Sequence, residues 1–91
     1  MVIVNGYIDM VLPEVVSLKG RRAVLSAVRD KLKKFNLSQL DISGEYPKEA
    51  SIAFIFLAAD EVQANRILTN IEQMLERSFP QMEHEISYEI S

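Results

Sequence analysis

The apolar residues of this 91-residue chain change period four times, and this constrains the fold more than any other feature. A period of two marks a strand with one buried face, and a period near 3.6 marks a helix with one buried stripe. Residues 2–12 alternate, with Val2, Val4, Gly6, Ile8, Met10 and Leu12 on one side and Ile3, Asn5, Tyr7, Asp9 and Val11 on the other. This reads as a strand, closed by Pro13, which cannot donate to a ladder. Residues 18–35 then repeat at helical spacing through Val24, Leu25, Val28, Leu32 and Phe35. Ser17 is placed to cap that helix and Asn36 to end it.

Residues 37–42 form a short second strand, with Leu40 and Ile42 on one side and Leu37, Gln39 and Asp41 on the other. Gly44 and Pro47 punctuate a loop. Residues 51–59 are almost continuously apolar, which predicts a central strand covered on both faces. Asp60 with Gln63 three residues later makes a capping-box variant. Ala64, Ile67, Leu68, Ile71, Leu75 and Phe79 supply the stripe of a second helix, and Pro80 stops it. Residues 82–90 alternate again, with His84, Ile86, Tyr88 and Ile90 opposite Glu83, Glu85, Ser87 and Glu89.

The order is β-α-β-β-α-β, without repeat or linker. Its economical packing is the split βαβ, or ferredoxin-like, α+β arrangement, a single domain over residues 1–91. Two helices would cover one face of a four-stranded antiparallel sheet of strand order 4-1-3-2. The other face stays open, and Ile3, Tyr7, Val11 and Leu37 are expected on it as a dimer interface.

Charge carries the functional reading. The chain totals −3, yet residues 17–35 hold seven basic residues against Asp30 alone, a local +6, which leaves −9 on the remainder. An acidic protein of this kind can present a basic face to an anion. At about 100° per residue, Lys19, Arg22, Arg29 and Lys33 fall within about 80° of one another on the first helix, with Arg21 near the following loop. These five are the candidate nucleic-acid-binding residues, and phosphate contacts through them would be salt-dependent. A solvated helix face with cations near its C-terminal dipole is the plainer reading of the same residues.

Residues 12–38 also resemble a known pattern. Leu12-Pro13, Ser17-Leu18-Lys19, the pair Arg21-Arg22 and then Phe35-Asn36-Leu37-Ser38 resemble the bacterial YlxP-like family, a domain of unknown function. The resemblance implies a ferredoxin-like fold, a bacterial cytoplasmic protein and a setting near translation initiation and ribosome maturation. Partners would be ribosomal RNA, a ribosomal particle or a translation factor.

Other chemistry finds little support. The absence of cysteine excludes disulfides, thiolate metal sites and a cysteine nucleophile, and fits a reducing cytosol. No apolar run is long enough for a membrane helix, and the N-terminus does not read as a signal peptide. His84, the single histidine, reads as a packed edge residue rather than a metal ligand or a catalyst. Loop 13–20 is not glycine-rich and contains Glu14, so phosphate cradling of the acylphosphatase kind is unsupported. Base stacking on the sheet would use Tyr7 and Phe54 or Ile55. The third strand lacks the basic and glycine residues of that mode, and Glu83, Glu85 and Glu89 would repel phosphate. No catalytic motif, cofactor or metal is expected. Two functions are carried forward: a non-enzymatic accessory protein that contacts RNA or the ribosome through its first helix, and a homodimeric ligand-binding or regulatory domain with a site at the subunit interface, near Gly6, Tyr7 and loop 13–20.

Overall fold

The computed structural model describes residues 1–91. Strand β1 (Val2–Val11) leads to helix α1 (Leu18–Leu32), which tightens into a 3₁₀ turn at Lys33–Phe35. Strands β2 (Ser38–Asp41) and β3 (Glu49–Ala58), helix α2 (Glu61–Ser78) and strand β4 (Glu83–Ile90) follow. The sheet is antiparallel with the order β2-β3-β1-β4, the ferredoxin-like topology that the element order implies.

The local signals act as their chemistry requires. Ser17 Oγ accepts the Gly20 N–H at 3.0 Å, satisfying one of the free donors at the start of α1. Asn36 takes the left-handed conformation, with φ of 52°, and turns the chain into β2. Asp60 accepts the Gln63 N–H at 2.8 Å, while Gln63 Oε1 reaches back to the Ala59 N–H at 2.6 Å. That reciprocal pair fixes the β3–α2 corner, as in a capping box.

One contiguous core of 18 residues lies between the sheet and both helices. β1 contributes Val4, Ile8 and Met10, and β3 contributes Ile52, Phe54 and Phe56. Leu25, Val28 and Leu32 of α1 and Leu68, Ile71 and Leu75 of α2 close over them.

Two expectations are corrected. β3 is central in the sheet but covered on one face only: Ile55 and Leu57 are exposed while Phe54 and Phe56 are buried. A continuously apolar strand therefore does not mean helices on both sides here. Leu37 does not lie on the open face with Ile3, Tyr7 and Val11. It packs against the core, on the helix side with Gln39, whose register partner is the buried Phe54. Period two across β2 then places Leu40 and Ile42 on the open face, and both are exposed.

Gly6 holds the centre of β1 between β3 and β4. It opposes Phe54 on one side and Tyr88 on the other. A Cβ there would lie 2.9 Å from Phe54 Cζ and from Tyr88 Cβ, and would collide with the Ser87 carbonyl oxygen. The backbone oxygen cannot retreat without breaking the β1–β4 ladder. Gly6→Ala is therefore expected to destabilise the fold by about 1–3 kcal/mol through overpacking. A lowered urea midpoint with unchanged slope checks this, and an unchanged midpoint refutes it.

Candidate anion-binding groove

The amphipathic pattern of α1 buries Leu25, Val28 and Leu32, and this turns a basic shoulder of the helix toward the edge strand β2. Between the two runs a groove of about 520 Å³. Arg21, Arg22, Arg29 and Lys33 line it together with Asp30 and Asp41. Four of the five basic residues singled out from the sequence thus share one concavity. Lys19 is exposed outside its lining.

The four cations do not stand alike. Arg21 is a strut: its Nη1 lies 2.7, 3.0 and 3.1 Å from the carbonyl oxygens of Gly44, Tyr46 and Glu49, and so it pins the β2–β3 loop to α1. Arg29 is half committed. Its Nε donates to Gln39 Oε1 at 3.3 Å, and Gln39 Nε2 donates to the Arg29 carbonyl at 3.1 Å, tying α1 to β2. Lys33 sits 3.2 Å from Asp30 in an exposed pair, worth little in water. Arg22 has no protein partner. The fold's two ion pairs are Lys33–Asp30 and His84–Glu72, so the Lys19, Lys31 and Lys34 charges also lack acidic partners.

Asp41 adds a second sign to the groove. Partial burial pushes its carboxyl up, but the Ser43 hydroxyl and N–H, with Arg21 and Arg29 nearby, outweigh that and hold it below the ordinary carboxylate value. The Ser43 N–H donates to it at 2.9 Å. A lowered carboxylate contributes stability that is complete above its unfolded value and is lost as pH falls through the folded one. At neutral pH the groove therefore presents a fixed acceptor among fixed donors.

The residues expected at a subunit-interface site lie apart within one chain. Gly6 is buried between Phe54 and Tyr88, while Tyr7 points to the opposite, open face. Loop 13–20 borders a separate apolar cleft of about 230 Å³, lined by Pro13, Val15, Phe79 and Met82 among others. His84 is packed, as read from its pattern, but it has a partner that the sequence reading did not supply. Its Nε2 lies 2.7 Å from Glu72 Oε1, with the imidazole only 7% exposed.

The open face carries an apolar field. Ile3 pairs with Leu57, Asn5 with Ile55, and Tyr7 with Ala53, which in turn pairs with Leu40. Ile3, Tyr7, Leu40, Ile55 and Leu57 are all exposed. Asp9 accepts the Ser51 hydroxyl at 2.6 Å. Along the β4 edge the same face carries Glu83, Glu85 and Glu89, register partners of Val11, Asp9 and Asn5. No helix is long and apolar enough to cross a membrane.

The family described as protein of unknown function (DUF503) matches residues 3–87 of this chain. No curated protein matches it. Among solved structures, a de novo designed protein with a ferredoxin fold is similar at a TM-score of 0.61 and 14% identity, over 97% of this chain and 85% of its own. The de novo designed protein Foldit4 is similar at 0.59 and 12%, over 98% and 97%. A dimeric ferredoxin-like protein from an uncultured marine organism is similar at 0.50 and 10%, over 100% and 93%. At such identities these likenesses establish the chain path alone, and two of the three come from design rather than from a biological activity.

Proposed function

The chain belongs to the DUF503 family of proteins of unknown function, and we propose that it is a non-enzymatic accessory protein that holds RNA, free or within a ribosomal particle, by its phosphate backbone. The convergence of Arg21, Arg22, Arg29 and Lys33 on one groove carries this reading. Cations gathered on one face repel one another, and a polyanion offsets that cost. The groove contains no aromatic residue for base stacking, so affinity would be electrostatic and tolerant of sequence. Asp41 suits RNA in particular, because a carboxylate between cations accepts from a ribose 2′-hydroxyl beside a phosphate. The resemblance of residues 12–38 to the YlxP-like family points the same way, toward translation in a bacterial cytoplasm.

The exposed sheet face supports a second role, pairing with another copy of the chain. A two-fold axis parallel to the strands would lay β1 of one copy over β3 of the other, apolar on apolar. It would also separate the two acidic β4 edges, placing each beside the β2 edge of its partner. An axis across the strands would stack carboxylates on carboxylates. The two roles use opposite faces and are compatible.

Two measurements test these readings. Fluorescence anisotropy with a short unstructured RNA should give a log affinity that falls linearly with log salt, by about 0.7 per phosphate contacted. Arg22→Glu breaks no protein contact, and it should lower both affinity and slope while leaving the circular dichroism unchanged. Equal binding by this variant and the wild type would refute the groove. Light scattering should give twice 10.4 kDa for the wild type and the monomer mass for Leu57→Glu; a monomeric wild type would remove the sheet-face dimer.

A further inference from the structure

We infer that the far side of the molecule from the groove carries a divalent-metal site formed by Glu72, Glu76 and His84. Glu72 and Glu76 are one helical turn apart on α2, so their side chains rise on the same face. His84 enters from β4, in register with Met10 of the central strand. The three ligand atoms all lie within 4.8 Å of one another. Ligands of a tetrahedral zinc ion, at bond lengths near 2.1 Å, stand about 3.4 Å apart. Small rotations of two surface glutamates close the set.

The chemistry of the donors favours a borderline cation. Two carboxylates supply −2 against the 2+ ion, and imidazole selects zinc and its first-row neighbours over magnesium or calcium. The imidazole is already pre-oriented. Its side chain is 7% exposed, and Nε2 points at Glu72 Oε1 from 2.7 Å. Burial of that ring between helix and strand fixes the costliest part of a metal site, the placement of its nitrogen, before any ion arrives. The carboxylates stand on the outer side, with Glu76 exposed, so the ion has an entry path.

Three protein ligands leave one position of a tetrahedron open. A cleft of about 350 Å³ runs beside Glu72 between α2 and β4, bordered by Gln73 and Tyr88. It gives a water molecule or a small anion room to occupy the fourth position. The ion would also bridge α2 to the edge strand β4, which the His84–Glu72 contact alone now joins at this point.

Isothermal titration of the full chain with ZnCl₂ in a non-chelating buffer tests the site. One ion per chain is expected, and the thermal midpoint should rise with zinc concentration. Glu76→Gln leaves the His84–Glu72 hydrogen bond in place and so tests the metal apart from the fold. It should weaken zinc binding by more than about 10-fold. His84→Gln should abolish it, and magnesium should produce no comparable heat. Absence of binding by the wild type, or equal affinity in the wild type and Glu76→Gln, would overturn the proposal. Because the groove plays no part in this measurement, the RNA reading and the metal site stand or fall separately.

Discussion

β1 is hydrogen-bonded along both edges for most of its length, ten residue pairs with β3 and eight with β4, and the rest of the molecule is positioned by that double ladder. Its register decides which side chains of three strands face the helices, since a slip of one residue would exchange the two faces. The core survives only if Val4, Ile8 and Met10 stand under α1 and α2. Gly6 makes the arrangement possible at its tightest point, where Phe54 and the backbone of β4 close over a strand with no Cβ.

The loops at one end of the sheet are tied together by cations, in addition to the core contacts of Leu12 and Val15. Arg21 gathers three carbonyls of the β2–β3 loop. Lys48, from that loop, returns the arrangement by donating to the carbonyls of Pro13 and Val15 at 2.7 and 2.9 Å. Carbonyls in such loops have no ladder partner, and a long cationic side chain satisfies several at once. Arg21 therefore serves the fold before it serves any ligand, whereas Arg22, its neighbour in sequence, is free. Adjacent arginines that look equivalent in a basic run fall on different sides of the division between structure and function.

Much of the fold was legible because its elements are locally consistent. Period-two alternation in residues 2–12 and 82–90, the Ser17 and Asp60 caps and the Asn36 exit all predict what forms. The open face was harder to read. Ile55 and Leu57 make β3 resemble a strand covered on both sides, since sequence shows that a residue is apolar but not whether anything covers it. Leu37 was misplaced because it precedes a four-residue strand, where one step of phase decides the face. The groove was half legible: helical spacing groups Arg22, Arg29 and Lys33, but Asp41 and Gln39 come from β2 and join them only through tertiary packing. The pairing of His84 with Glu72 spans twelve residues and two elements, and no local signal announces it.

The charge distribution follows from the same topology. Seven of the ten cations sit on α1 and its 3₁₀ extension, beside the β2 half of the sheet, while the carboxylates of β4 line the opposite edge. A polyanion approaching this molecule meets a favourable side and an unfavourable one, so its contact surface is set before any hydrogen bond forms. Amide chemical-shift mapping during titration with a short RNA tests this most directly. The account predicts shifts concentrated at Arg22, Ser26, Arg29, Lys33 and Asp41, with Tyr7, Ile55 and the β4 edge unmoved. Shifts centred on the open sheet face, with α1 unchanged, would contradict it.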